Sequence, residues 1–343
     1  MAAKLITQEI GSFRKPEYLS KKFHSIEGTQ EYVDLSQKAT VETLEVFDRA
    51  GLDNIGVGGE MFRWEMYEHL AKRVTNIEFY GLVRSFDNRY YKKGSVIGVP
   101  ERKESFHREE LEHVMKDTNK SIKVPITGAY TMMDWSFNEH YRSRRELAMK
   151  FADLIHQEIE DLQKTWKKSG RREQLQIQID EPATTTHPSE MDIVVESMNR
   201  SMEKFRDIEF TLHVCYSKDY RILYDVVPDM GFHGYNLEYA NRDSLIVRKE
   251  EREGYDDLKY FKTVNDTLKE KRFIGLGVTD VHIDTVESQE LIENRINYAL
   301  GILEDPSLVR INPDCGLRTR SREIGYEKLL NMVRATRNVE KDM

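Results

Sequence analysis

The stretch FTLHVCYS, Phe210 to Ser217, is a short apolar run that ends in polar residues. Seven other runs share its design: ITQEIGSF (6–13), LDNIGVGGE (52–60), VPITGAYT (124–131), LQIQIDEP (175–182), GYNLEYA (234–240), FIGLGVTDV (273–281) and LVRINPDCG (308–316). Their length, and the Gly, Pro, Asp and Ser that bound them, suit strands buried on both faces, as in a parallel sheet. Amphipathic segments separate several of them. SRRELAMKFADLIHQEIEDLQKTWKKSG offers Ser143 as N-cap with Glu146 three residues on, a capping box, and Gly170 as a stop. Its Leu147, Phe151, Leu154, Ile155, Leu162 and Trp166 recur at helical spacing and read as a core face. PSEMDIVVESMNRSMEKF repeats the scheme with Val194, Val195, Met198, Met202 and Phe205, and ESQELIENRINYALGIL repeats it before the last run. Eight strands separated by helical crossovers predict an α/β fold, a (β/α)8 barrel, with a doubly wound sheet as the alternative.

The 343 residues are expected to form a single catalytic barrel domain. The region 78–99 breaks the alternation: IEFYGLVRSF followed by GSVIGVP reads as a β-hairpin inserted after the second strand. A net charge of −8 without a basic stripe argues against nucleic acid as a partner. No apolar run approaches the ~18–20 residues needed to cross a bilayer. With no secretion-like N-terminus and only two cysteines, the expectation is a cytoplasmic protein with reduced thiols.

The polar residues gather at the carboxyl ends of the runs. Gly11 and Ser12 end the first, Glu60 the second and Asp180 the fourth. His213 and Cys215 close the fifth, Glu238 the sixth, Asp280 and His282 the seventh, and Cys315 the eighth. In a barrel those ends share one face, where active sites are built. His213, Cys215, Glu238 and Cys315 make a donor set suited to tetrahedral zinc. His-x-Cys on a strand sends both side chains to one face. Read singly, each of these residues also has an ordinary role: a buried Cys is a small hydrophobe and a strand-end Glu is usually solvated. Two thiolates already neutralise a divalent ion, which makes it a poor activator of water and disfavours a zinc barrel hydrolase. Such an ion is better suited to holding a third thiolate, from a substrate, in nucleophilic form. Alkylation of a thiol follows, with Glu238 as the ligand the substrate displaces.

With these residues assembled, the chain resembles the C-terminal catalytic barrel of cobalamin-independent methionine synthases. The likeness rests on EIGSF, GGE, RSFDNR, ITGAYTMMDWSF, QIQIDEPA, HVCYS, LE, GVTDVH and NPDCGLRTR, in that order along essentially the whole chain. The resemblance implies methyl transfer to homocysteine, with Zn2+ held by His213, Cys215, Glu238 and Cys315. It places Ile10, Gly11 and Ser12 on the amino acid's carboxylate, and Glu60 and Asp180 on its ammonium. His282 falls at the proton donor, with Asp280 able to orient its ring. Trp135 matches a pterin contact and Arg89 a residue near the folate tail. Structural roles stay open beside these: Trp135 capping the barrel rim, Glu60 and Asp180 capping helix starts, Gly11 and Ser12 making a turn, and Arg89 solvated on the surface.

Two departures bear on the methyl donor. Long members of the family carry a second, N-terminal barrel, for which these residues show no counterpart. The run DEPATTTH puts Thr186 where long members have an acid that binds the pterin, and a hydroxyl cannot form the paired bonds of a carboxylate. The sequence therefore resembles the short core synthases, whose donor is a methylfolate or related methylpterin, or a methylated corrinoid protein. Trp135 and Arg89 favour folate, and the two departures oppose it. A zinc methyltransferase acting on another thiol such as coenzyme M is a rival reading. Glu60 and Asp180 discriminate against it, because they suit an ammonium and repel a sulfonate. A barrel with a closed, structural zinc is a further alternative.

Overall fold

In the computed structural model, residues 4–84 and 90–343 are described. Its strands are β1 (Ile6–Thr7), β2 (Ile77–Arg84), β3 (Tyr90–Val96), β4 (Lys123–Thr127), β5 (Phe137–Asn138), β6 (Leu175–Asp180), β7 (Ile208–Val214), β8 (Gly234–Leu237), β9 (Phe273–Gly277) and β10 (Val309–Asn312). Seven of them form one parallel sheet in the order β1-β10-β9-β8-β7-β6-β4. The sheet curls until Asn54 joins its two edges, bridging Gln8 on one side and Ser121 on the other. The result is the expected barrel, with one correction.

The second run, Leu52–Glu60, does not form a strand. Gly56, Gly58, Gly59 and Glu60 all have positive φ, between +54° and +81°, and a chain in that region leaves the pleat of a ladder. Only Asn54 keeps a sheet position. The glycines instead let the chain press inward. A Cβ on Gly56 would fall 1.6 Å from the Glu9 carboxylate, and one on Gly59 would fall 2.7 Å from Phe13.

The hairpin is present: β2 and β3 pair antiparallel, with a bulge between Phe79 and Gly81, and β5 adds a parallel third strand beside β3. Residues 85–89, between β2 and β3 in sequence, lie outside the described residues.

Helices cover the barrel as the sequence periodicity requires. The helix Arg144–Ser169 starts on Ser143, whose hydroxyl accepts the Glu146 N–H at 3.1 Å, and stops at Gly170 with φ +72°. It packs on the helix Met191–Met202. That helix ends before Phe205, because the chain turns at Lys204 (φ +73°), yet Phe205 still rests against the core. Helices Gln289–Leu303 and Arg322–Asp342 complete the ring against Gln30–Ala50. On β7, Phe210, Leu212 and Val214 are buried hydrophobics that alternate with Thr211 and His213.

The barrel interior is not aliphatic. Gln8 donates to Asn236 (2.8 Å) and Asn312 (3.2 Å), Asn236 donates to Gln178 (2.7 Å), and Gln178 donates to the Ile10 carbonyl (2.9 Å) and to Asp180 (2.7 Å). Gly275 makes room for this amide layer, since a Cβ there would fall 2.0 Å from the Asn236 amide oxygen. Hydrogen-bonded amides in a buried interior are directional, so the layer fixes register as well as filling space. It forms the floor of the site above it.

Candidate functional site

At the carboxyl ends of the strands, Ile10, Gly11, Ser12, Glu60, Trp135, Asp180, His213, Cys215 and Cys315 all line one cavity. Nine of the residues singled out from sequence therefore meet in one place. Glu238, Asp280 and His282 lie beside it, and Arg89 falls outside the described residues.

His213, Cys215 and Cys315 present one nitrogen and two sulfurs within 4.8 Å of one another. The tautomer of His213 is set by its surroundings. Its Nδ1 lies 2.8 Å from the Asn236 carbonyl, so that nitrogen carries the proton. Nε2 is buried and faces the two thiols; burial lowers the ring, but Cys315 outweighs it and raises it to about 9. A buried imidazole beside two thiols, its other nitrogen anchored to backbone, fits a metal ligand whose Nε2 proton the ion displaces. The contact with Cys215 and the neighbouring His213 hold the Cys315 thiol well below its ordinary range, and the same contact with burial pushes Cys215 up. The pair thus shares a proton unequally, with Cys315 the more readily ionised of the two.

Glu238, the fourth ligand expected from sequence, stands apart from this trio among the described residues. Its carboxylate accepts from the Tyr216 N–H (2.6 Å) and the Asn241 side chain (2.9 Å), and lies 3.2 Å from His282 Nε2. Burial lowers the His282 imidazole, but Glu238 outweighs it and the ring is raised to about 9. Asp280 acts on His282 through the main chain: its carboxylate accepts the His282 backbone N–H at 2.8 Å, while Glu238 meets the ring. The neighbouring Asp314 accepts three successive N–H groups, from Tyr239, Ala240 and Asn241, at 2.7–3.0 Å, and so ties the turn after Glu238 to the segment holding Cys315.

The opposite wall is acidic. Burial, with Glu60 opposing the effect of His213, pushes Asp180 up to about 7. Glu60 has φ +59°, and Gly11 packs so closely that a Cβ would fall 2.5 Å from its carboxylate oxygen. Strained backbone held by its surroundings concentrates at functional positions, and Tyr216 across the cavity also has φ +59°. Behind Glu60, buried Arg63 lies 3.8 Å from its carboxylate and pairs with Glu110 at 2.6 Å. The Trp135 ring sits 5.2 Å from Tyr91 of the hairpin, an aromatic wall over the mouth.

Sequence reading missed several cavity residues: Tyr90 and Tyr91, Glu65 and Met66, Tyr216, and Arg318. Tyr216 and Arg318 lay within quoted stretches, and the alternating Gln176, Gln178 and Asp180 of LQIQID signalled the amide floor. No local pattern marks the others.

The profile of the family described as cobalamin-independent synthase, catalytic domain, matches residues 5–338. A methionine synthase of Thermoplasma volcanium is 61% identical over 343 residues, covering 99% of each chain. One from Pyrococcus abyssi is 36% identical over 344 residues, covering 99% of this chain and 94% of its own. A solved structure of a B12-independent methionine synthase from Shewanella sp. W3-18-1, in complex with selenomethionine, superposes with a TM-score of 0.80. It is 22% identical and covers 99% of both chains, a likeness of fold. On the extent of these matches, the chain belongs to the cobalamin-independent methionine synthase family, as its catalytic domain.

Proposed function

We propose that the chain is a zinc-dependent methyltransferase that methylates the thiol of homocysteine to give methionine. One observation carries the reading: a buried histidine–dithiol trio shares a cavity with two acids and the Gly11–Ser12 turn. His213, Cys215 and Cys315 would hold the ion. Zinc bound there supplies a centre that keeps a substrate thiol ionised at neutral pH.

The remaining steps belong to the protein's own groups. Glu60 and Asp180 bind the substrate ammonium, whose positive charge favours the ionised form of Asp180. The Gly11–Ser12 turn receives the carboxylate, so the amino-acid end is fixed and the sulfur has one place to lie. Trp135 and Tyr91 offer a flat surface to the methyl donor and exclude water from the mouth. His282, kept protonated by Glu238, holds a proton at Nε2 for the leaving group. Glu238 thereby serves the acid, beside the fourth-ligand role that the resemblance gives it.

The test supplies homocysteine and zinc with either methyltetrahydrofolate or a methylcorrinoid, and measures methionine. The account expects product with at least one donor, and turnover with one alone identifies the donor. No methionine with either donor, from zinc-loaded protein, would refute it.

A further inference from the structure

A second cavity, of about 480 Å³, opens next to the substrate cavity and is lined by Phe13, Arg14, Lys15, Ser20, Lys21, Trp64, Arg318 and Thr319. Four of these residues are cationic and none is acidic, in a chain whose net charge is −8. Arg318 lines both cavities, so the two are contiguous. We propose that this basic cavity is an oxyanion-binding subsite, built for a ligand with two or more carboxylate or phosphate groups and an apolar portion lying on Trp64 and Phe13.

Three observations support it besides the lining. Lys15 is drawn inward, its Nζ donating to the Glu60 carbonyl at 2.9 Å. Burial, with Arg318 next to it, lowers that ammonium to about 7; an oxyanion between the two cations would relieve both effects. Lys21 is paired with Glu17 out in solvent, where both side chains are exposed and the pair is easily exchanged for a stronger anion.

The subsite is joined to the substrate wall by two links, Lys15 to the Glu60 backbone and Arg318 between the cavities. An anion bound here would therefore brace the residue assigned to the substrate ammonium. The anion has two possible sources, the acidic end of the methyl donor or a free anion acting as an effector, and this part of the inference rests on the methyl-transfer reading.

The experiment begins with binding alone, which needs no turnover and so stands or falls separately from that reading. Inorganic pyrophosphate and citrate are titrated calorimetrically into the full chain at low salt. Saturable one-to-one binding is expected, weakened about tenfold or more in the Arg14→Gln/Lys21→Gln double variant through loss of two charge-assisted contacts, and unchanged in Lys164→Gln, a surface control. Both substituted cations are exposed, so folding should persist, and circular dichroism confirms it. No saturable binding of either anion, or equal affinity in the double variant, overturns the proposal. In the second arm, pyrophosphate that competes with the methyl donor assigns the subsite to the donor's acidic end. Pyrophosphate that tightens homocysteine binding without displacing donor assigns it to a free anion.

Discussion

Two clusters of buried charge lie in this barrel, and they are built on opposite plans. One is a chain of ion pairs under the loops that follow β8 and β9. Arg252 and Arg295 share Asp243 at 2.9 Å each, Arg295 reaches Glu287 at 3.7 Å, and Lys328 meets Glu287 at 2.8 Å, all with fully buried side chains. Every cation there faces an anion. The other cluster is the candidate site, where Asp180 is crowded by Glu60 and His213 is buried against two thiols. In the first cluster each cation has its anion, whereas in the second acids and thiols face one another across a cavity. That difference, more than burial or charge, separates a structural network from a site.

Breaking each cluster should give different symptoms. Cys215→Ser removes a ligand from the open cluster, and zinc affinity should fall about a thousandfold, ~4 kcal/mol, roughly a third of what a full zinc site supplies. Competition with a chromophoric chelator measures this, and methionine formation should vanish with it. Arg252→Met opens the closed cluster. Because Asp243 keeps Arg295, the loss of stability should be near the lower end for a broken buried pair, about 3 kcal/mol by denaturant unfolding. Zinc affinity should not change, as the partners of Arg252 (Asp243, Asn294 and the carbonyls of Ser244, Ile246 and Val247) include none of the trio. Asp180→Asn keeps the size of the side chain and removes the charge offered to the ammonium. The KM for homocysteine should rise about thirtyfold, the worth of a hydrogen bond to a charged group, with metal content intact.

The smallest effect is a slope. A carboxyl raised to about 7 holds a proton in the folded state that the unfolded chain releases near pH ~3.9. Asp180 therefore works against the ligand-free fold as pH rises from about 4 to 7. Between those values, Asp180→Asn should flatten the pH dependence of stability by at most one proton, about 1.4 kcal/mol per pH unit. Thermal unfolding in a buffer series at constant salt reads it, and equal slopes in the two proteins would show that Asp180 does not titrate in this window.

How much of this was legible in the chain depended on the range of the signal. His213 and Cys215 were visible together because a strand repeats every two residues, and Cys315 was visible because barrel strand ends converge. The β-hairpin was visible because its alternation differs from that of the buried runs. The second strand was misread for a physical reason: apolar composition suggested a strand, while glycine-rich spacing allowed a left-handed turn that only the neighbours Phe13 and Glu9 select. The contact of Glu238 with His282 was not legible because it joins residues 44 apart in sequence, and no local pattern records it. The same holds for Arg318, whose place between two cavities depends on the loops after β1 and β10 meeting.

The central claim is that the open cluster becomes complete by binding a metal and then a substrate sulfur. Zinc K-edge X-ray absorption on the zinc-loaded protein, before and after homocysteine is added, tests it most directly. The account predicts two sulfur neighbours at about 2.3 Å without substrate and three with it. A sulfur count that stays at two when homocysteine is bound would contradict it.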